Sequence, residues 1–261
     1  MAGRSKADII SLLLKGYGRT YFEDIGIDLK NTPSPLFQGL VAAILYSARI
    51  RSGTAALAAR ALFEEGWTTP EKMAGARWGK RTRILNRSGY ARYDGRTSTM
   101  LEEASRYLLD RYGGDLRKLR EEAREDPGKE RRLLKKFKGI GDVGADIFFR
   151  ETQLVWDELY PFADKKPLKA AGRLGLPQHA ERLSREVSRE DFPRLVSALV
   201  RAAGADALED IRKGRLHGGA EELNALSKKE LYERAKKLGV PGRSRMGKKE
   251  LVKEIVSRTR S

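Results

Sequence analysis

The chain has 261 residues, with 53 lysines and arginines against 36 acidic residues, a net charge of +17, no cysteine and two histidines. That balance favours a polyanionic partner, of which nucleic acid is the usual one. The lack of thiols excludes disulfides, thiolate-held zinc and cysteine-ligated iron–sulfur clusters, and His179 and His217 are too few for a histidine-rich metal site. No secretory signal pattern opens the sequence, and the apolar runs at 9–14 and 40–45 are far too short to cross a bilayer.

Helical periodicity runs through nearly the whole chain and strand-like alternation is scarce, so the expected fold class is all-α. A first helix is expected over 5–15. Residues 36–48 follow Pro35 and are apolar nearly all round, which predicts a central buried helix with Leu36, Leu40, Ala43 and Ser47 along one stripe. An alanine-rich helix over 54–65 should end at Gly66. Thr99 and Glu102 stand at the spacing of a capping box and are expected to open a helix that reaches Tyr112, closed by Gly113 and Gly114. Asp115 is expected to cap another that stops before Pro127. Further helices are expected at 168–174, 178–187 and 190–203, and the glycine-rich, basic stretch 213–220 reads as a linker.

Residues 133–151 carry the most information. Gly139-Ile140-Gly141-Asp142-Val143-Gly144 matches the G-x-G-x-x-G dinucleotide pattern, with an acidic residue about 20 positions further on. That fingerprint has to follow a buried strand, whereas residues 129–137 are charged, have apolar positions at helical spacing and contain no β-branched residue. The pattern fits a helix, a tight glycine turn and a second helix. Asp142 is expected to cap the second helix, with Val143, Ile147 and Phe148 on its buried face. Bare N–H groups at such a turn bind phosphate oxygens, so Lys138, Gly139, Ile140, Gly141, Val143 and Gly144 are the expected DNA-contacting residues.

The tail repeats the helix–loop–helix theme on a smaller scale. Ser227 and Glu230 form a second candidate capping box, Leu231, Ala235 and Leu238 fall at helical spacing, and Gly239 can end the helix. A loop of Val-Pro-Gly-Arg-Ser-Arg-Met-Gly follows, then a helix carrying Leu251 and Ile255. Residues 226–255 resemble the small N-terminal domain of transcription terminator Rho, a relative of the SAP module. The resemblance implies a nucleic-acid-binding accessory that contacts backbone more than bases, with Arg243 and Arg245 as contacts.

From about 35 to 176 the chain resembles the helix-hairpin-helix DNA glycosylases, the superfamily of endonuclease III, adenine glycosylase and the alkyladenine glycosylases. Residues 40–49, 137–146 and 162–176 carry the resemblance. They look like the early helix whose end enters the duplex, the hairpin, and the segment that runs from the catalytic aspartate into an Arg-Leu-Gly-Leu helix. The resemblance implies two helical lobes with DNA across the cleft, Asp164 as the catalytic carboxylate, and Arg49 as the side chain that fills the gap left by an extruded base. Tyr46, Trp156 and Asp157 are the candidate base pocket.

The sequence departs from the family in two places. Lyase members carry a lysine two residues after the second hairpin glycine, where Val143 stands here, so a monofunctional enzyme is expected; Lys138, Lys165 or Lys166 could supply a substitute amine. The four-cysteine cluster loop is absent, and no iron–sulfur cofactor is expected, although a monovalent cation on the hairpin backbone is compatible with the motif. A non-catalytic DNA-binding protein on the same scaffold is the alternative reading. The expected partner is duplex DNA carrying a lesion or mismatch, bound by a monomeric, cytoplasmic, nucleoid-associated protein. The expected divisions are 1–34, packing with a second lobe; 35–151, the central lobe; 152–212, the second lobe; 213–222, the linker; and 223–261, the small domain.

Overall fold

A computed structural model describes residues 4–216, 223 and 226–258. The fold is all-α, and no strand occurs among the described residues. No described helix is long and apolar enough to cross a membrane. The chain divides into two compact units, Thr20–Asp164 and the pair of segments Met1–Arg19 and Lys165–Ser261.

The first unit is built on α3 (Pro33–Ser47), which starts at a proline whose missing N–H costs a helix nothing at that position. It is buried from Leu36 through Leu45 apart from Gln38, as its all-round apolar sequence predicts, while Ser47 is only partly covered. Around it lie α2 (Tyr21–Asp24), α4 (Ser52–Glu64), α5 (Pro70–Gly75), α6 (Trp78–Leu85) and α7 (Asp94–Tyr112). The helix α8 (Arg117–Ala123) and the hairpin helices α9 (Pro127–Leu134) and α10 (Asp142–Thr152) complete the unit. Alanines at 55, 56, 58 and 59 let α4 approach α3 closely.

The expected capping box at Thr99 is not a helix start. The helix α7 opens five residues earlier, and Thr99 lies inside it, accepting a 3.1 Å hydrogen bond from Trp78 Nε1. Glu102 instead binds Arg81, a fully buried guanidinium that also donates to the carbonyl of Met73 at 2.8 Å. A buried arginine that pairs at long range leaves no periodic signature, so cap-like spacing alone does not mark a helix start here. Gly113 does close α7, in the left-handed region at φ 59°. Asp115 accepts from the Arg117 N–H at 2.9 Å at the start of α8.

In the second unit α1 (Lys6–Tyr17) packs on α13 (Phe192–Gly204), as does α11 (Lys165–Arg173), and α14 (Leu208–Arg212) lies against α1. Short turns, α12 (Ala180–Leu183) and a 3₁₀ segment over 184–186, replace the single helix expected at 178–187. The tail has its own core of Leu231, Ala235, Val240, Leu251, Val252 and Ile255 between helices Lys228–Lys237 and Lys248–Arg258. Its capping box is formed, with Ser227 Oγ accepting from Glu230 N–H and the Glu230 carboxylate accepting from Ser227 N–H at 2.6 Å. Of the expected linker, residues 217–222 lie outside the described residues, as do 259–261 of the small domain.

The observed divisions at 19/20 and 164/165 differ from those expected at 34/35 and 151/152. The reason is local. Phe22, Ile25 and Ile27 enter the core around α3, and the fully buried Glu151 accepts from the N–H groups of Tyr21 at 3.3 Å and Phe22 at 2.9 Å. One carboxylate thereby takes up two orphan donors at the start of α2 and binds that segment to α10.

Candidate active site

The glycine turn lies between α9 and α10, a helix before it rather than a strand, which removes the dinucleotide reading. Its geometry rests on two different kinds of glycine. Gly139 has φ +92°, and a Cβ there would stand 3.1 Å from Ile44 Cγ2 on α3. Both the backbone and the packing therefore demand glycine. Gly141 has φ −104°, and a Cβ would meet nothing within 4 Å. Nothing in the fold requires glycine at 141, and its effect is to leave the backbone bare.

Gly141, not Asp142, occupies the N-cap of α10. Asp142 is the first helical residue and pairs with Lys135 at 2.7 Å, where its charge complements the positive end of the helix. The first helical hydrogen bond runs from Ala145 N–H to the Gly141 carbonyl, 3.0 Å, so the N–H groups at 141–144 have no helical acceptor. Gly141, Asp142 and Val143 are exposed, as is Lys138. Val143 is 57% exposed and not on the buried face, which Gly144, Ala145, Ile147 and Phe148 supply instead. A Cβ on Gly144 would lie 3.1 Å from Ile140 Cδ1. The close seat of the turn on α3 takes Gly144 inward and turns Val143 out.

The other end of α10 holds the segment that carries Asp164. Gln153 accepts from Phe162 N–H at 2.9 Å and donates to the Phe162 carbonyl at 3.2 Å and the Arg150 carbonyl at 2.8 Å. The Phe162 ring meets Phe149 edge-on at 5.4 Å, and the Arg131 guanidinium lies over both rings, 5.1 Å from Phe149 and 5.8 Å from Phe162. Asp164 then faces Arg150, with Nε 3.1 Å from Oδ1, and the two side chains are 13% and 5% exposed. Asp164 is thus held within the unit and not directed at bulk solvent.

The pair belongs to a longer charged row. Asp146, one turn before Arg150, binds Arg131 at 2.6 Å. Burial pushes the Asp146 carboxyl above its usual range, against the pull of Arg131, and the nearby Asp164 adds to the rise. The Arg150 guanidinium also lies 5.7 Å from the Tyr21 ring centre, and Tyr21 packs against Tyr46 at 4.5 Å. Tyr46 is therefore linked to Arg150 through the Tyr21 ring. Arg131, Asp146, Arg150 and Gln153 escaped sequence reasoning. A four-residue spacing of opposite charges at 146 and 150 was the one legible sign.

The remaining candidates divide. Trp156 is a core residue, fully buried with its Nε1 donating to Asn31 at 3.3 Å and its ring edge-on to Phe148 at 5.4 Å, so it presents no face to a base. Asp157 lies exposed at the head of a 3₁₀ turn. Arg49 is exposed just past the end of α3. In the tail, Arg243 donates to the Val240 carbonyl at 3.1 Å and covers the Tyr232 ring at 5.8 Å, whereas Arg245 is exposed.

No protein-family model matches this chain, and no curated protein does. Among solved structures, a trapped endonuclease III–DNA covalent intermediate in an estranged-adenine complex superposes with a TM-score of 0.44 at 16% identity, covering 74% of this chain and 82% of that one.

Proposed function

We propose that this protein is a monofunctional DNA glycosylase of base excision repair, acting on duplex DNA that carries a damaged or mispaired base. The observation that supports the reading best is that one helix, α10, serves two ends of one task. Its start offers bare N–H groups suited to a phosphate, and Arg150 and Gln153 near its end fix the segment bearing Asp164. Loss of a base builds positive charge on the deoxyribose, and a held carboxylate stabilises that charge or orients the attacking water. Phosphate contacts by the turn would set the register of the strand, and Arg49 would occupy the space of the extruded base.

Val143 at the position of the lyase lysine favours hydrolysis alone, leaving an abasic site. The tail, with 12 basic against 6 acidic residues over 221–261, would add backbone contacts. The alternative of a non-catalytic DNA-binding protein has one observation in its favour, since the Arg150–Asp164 pair would also serve as a plain structural ion pair.

A panel of duplexes, each with one defined lesion, decides between them when scored for strand breaks before and after alkali. The expected result is cleavage only after alkali, with Asp164→Asn slowing base release by roughly 1,000-fold or more while duplex affinity stays within about twofold. Cleavage before alkali would indicate an active amine, and no release from any duplex would support the binding protein.

A further inference from the structure

Arg150 does more than accompany Asp164. Its side chain is only 5% exposed, and its Nη1 is buried with no hydrogen-bond partner among the described residues. A buried guanidinium N–H without an acceptor is costly, and native proteins rarely leave one without a use. Nε of the same group meets Asp164 Oδ1 at 3.1 Å and lies 3.4 Å from the Asp146 carbonyl. Since guanidinium is planar and rigid, Nη1 is fixed within a few ångströms of the Asp164 carboxylate.

We propose that Arg150 pairs with Asp164 through Nε and that, once the entering base displaces the side chains covering it in the free protein, its unpartnered Nη1–H donates a hydrogen bond to an acceptor atom of the departing base. This rests on the glycosylase reading and names the leaving-group donor of that site. The C1′–N bond breaks with its electron pair passing to the base. Water adds to C1′ and yields a proton to Asp164, and the base nitrogen takes a proton from solvent. Arg150 keeps its own protons throughout and lowers the energy of the electron pair arriving on the base. Such a donor is worth most in a dry site, where it needs no reorganisation. It also answers an objection to the ion pair, because a cation that only neutralised Asp164 would weaken its grip on the charged sugar. With Nη1 directed at the leaving base, the same cation also stabilises the negative charge that the breaking bond delivers to the base.

The class of substrate follows from donor chemistry. A guanidinium N–H is matched by bases that present a carbonyl oxygen or an unprotonated ring nitrogen, and it disfavours alkylated bases that carry a positive charge.

The test measures single-turnover base release by wild type, Arg150→Lys, Arg150→Met and Asp164→Asn, on one lesion and on the same lesion with an electron-withdrawing substituent that makes the base a better leaving group. Arg150→Met is expected to slow release roughly 100-fold with duplex affinity within about threefold of wild type. The activated base should restore most of that loss in Arg150→Met and none of it in Asp164→Asn. Arg150→Lys, which keeps the charge but not the rigid fork, should fall between. Equal losses for both leaving groups in the Arg150 variants would overturn the proposal while leaving the glycosylase reading intact. Unfolding of both Arg150 variants, seen in their helical circular dichroism, would also overturn it by making Arg150 a folding residue. Wild type that releases no base from any duplex would instead defeat the proposed function itself.

Discussion

The chain contains two basic helix–loop–helix hairpins, at 127–152 and 227–258, and they solve the loop differently. In the first, Gly139 locks the turn against Ile44 of α3, and Gly141 leaves the following N–H groups bare. Its second helix then extends a polar row through Asp146, Arg150 and Gln153 to the Asp164 segment. In the second, the loop closes on itself, with Arg243 donating to Val240 and lying over Tyr232, around a core of few residues. Similar composition therefore yields a turn that offers its backbone outward in one case and, in the other, a loop whose Arg243 folds back onto its own hairpin. The difference lies in what each loop is seated upon, not in its charge.

Four changes test this contrast. The largest effect is expected at Gly139. Gly139→Ala forces a side chain into the left-handed region and against Ile44, and chemical denaturation should show a loss of about 2–4 kcal/mol. A neutral result would mean that the turn is not locked. Next, Gly141→Leu should leave stability within about 0.5 kcal/mol yet lower duplex affinity about tenfold by screening the N–H groups, read by fluorescence anisotropy. An unchanged affinity would remove the turn from the DNA interface.

Removing residues 221–261 should weaken binding severalfold and flatten the plot of log affinity against log salt by about 1–3. Base release at saturating enzyme should persist; its loss would show that the small hairpin belongs to the reaction rather than to binding. The smallest effect concerns Glu130 on α9, for which the second hairpin has no buried counterpart among the described residues. Burial pushes its carboxyl well above the ordinary value of 4.5, with the neighbouring Glu158 adding to the rise. The folded state therefore binds this proton more tightly than the unfolded chain. The stability it contributes is complete below the ordinary carboxylate range and drains away as pH climbs toward the raised value. Thermal melts at roughly pH 6 and pH 8 should show wild type losing more than Glu130→Gln. Parallel losses would place Glu130 outside the titration.

Much of this was legible in the residues. The all-α class, the buried α3, the glycine turn and the tail capping box rest on short-range rules of spacing, capping and backbone freedom, whereas Asp164 was singled out only by the resemblance to the glycosylases. Those rules failed where a distant partner decided the outcome. Thr99 and Glu102 have cap spacing, but the buried Arg81 claims Glu102 inside a helix that already begins at Asp94. Val143 has a core side chain, but the seat of Gly144 against Ile140 leaves it outside. Trp156 has the ring of a base-stacking residue, but Phe148 and Asn31 hold it in the core.

By itself the sequence determined which segments would be helical and where the chain would bend, because those preferences are settled by each residue and its near neighbours along the chain. Only the tertiary structure decided that Arg150 meets Asp164 and that Tyr21 lies between the Arg150 guanidinium and the Tyr46 ring. Such contacts join residues 14 and more than 100 positions apart (150 to 164, 21 to 150), and they form when the core around α3 closes and the buried charges must find one another to offset the loss of water.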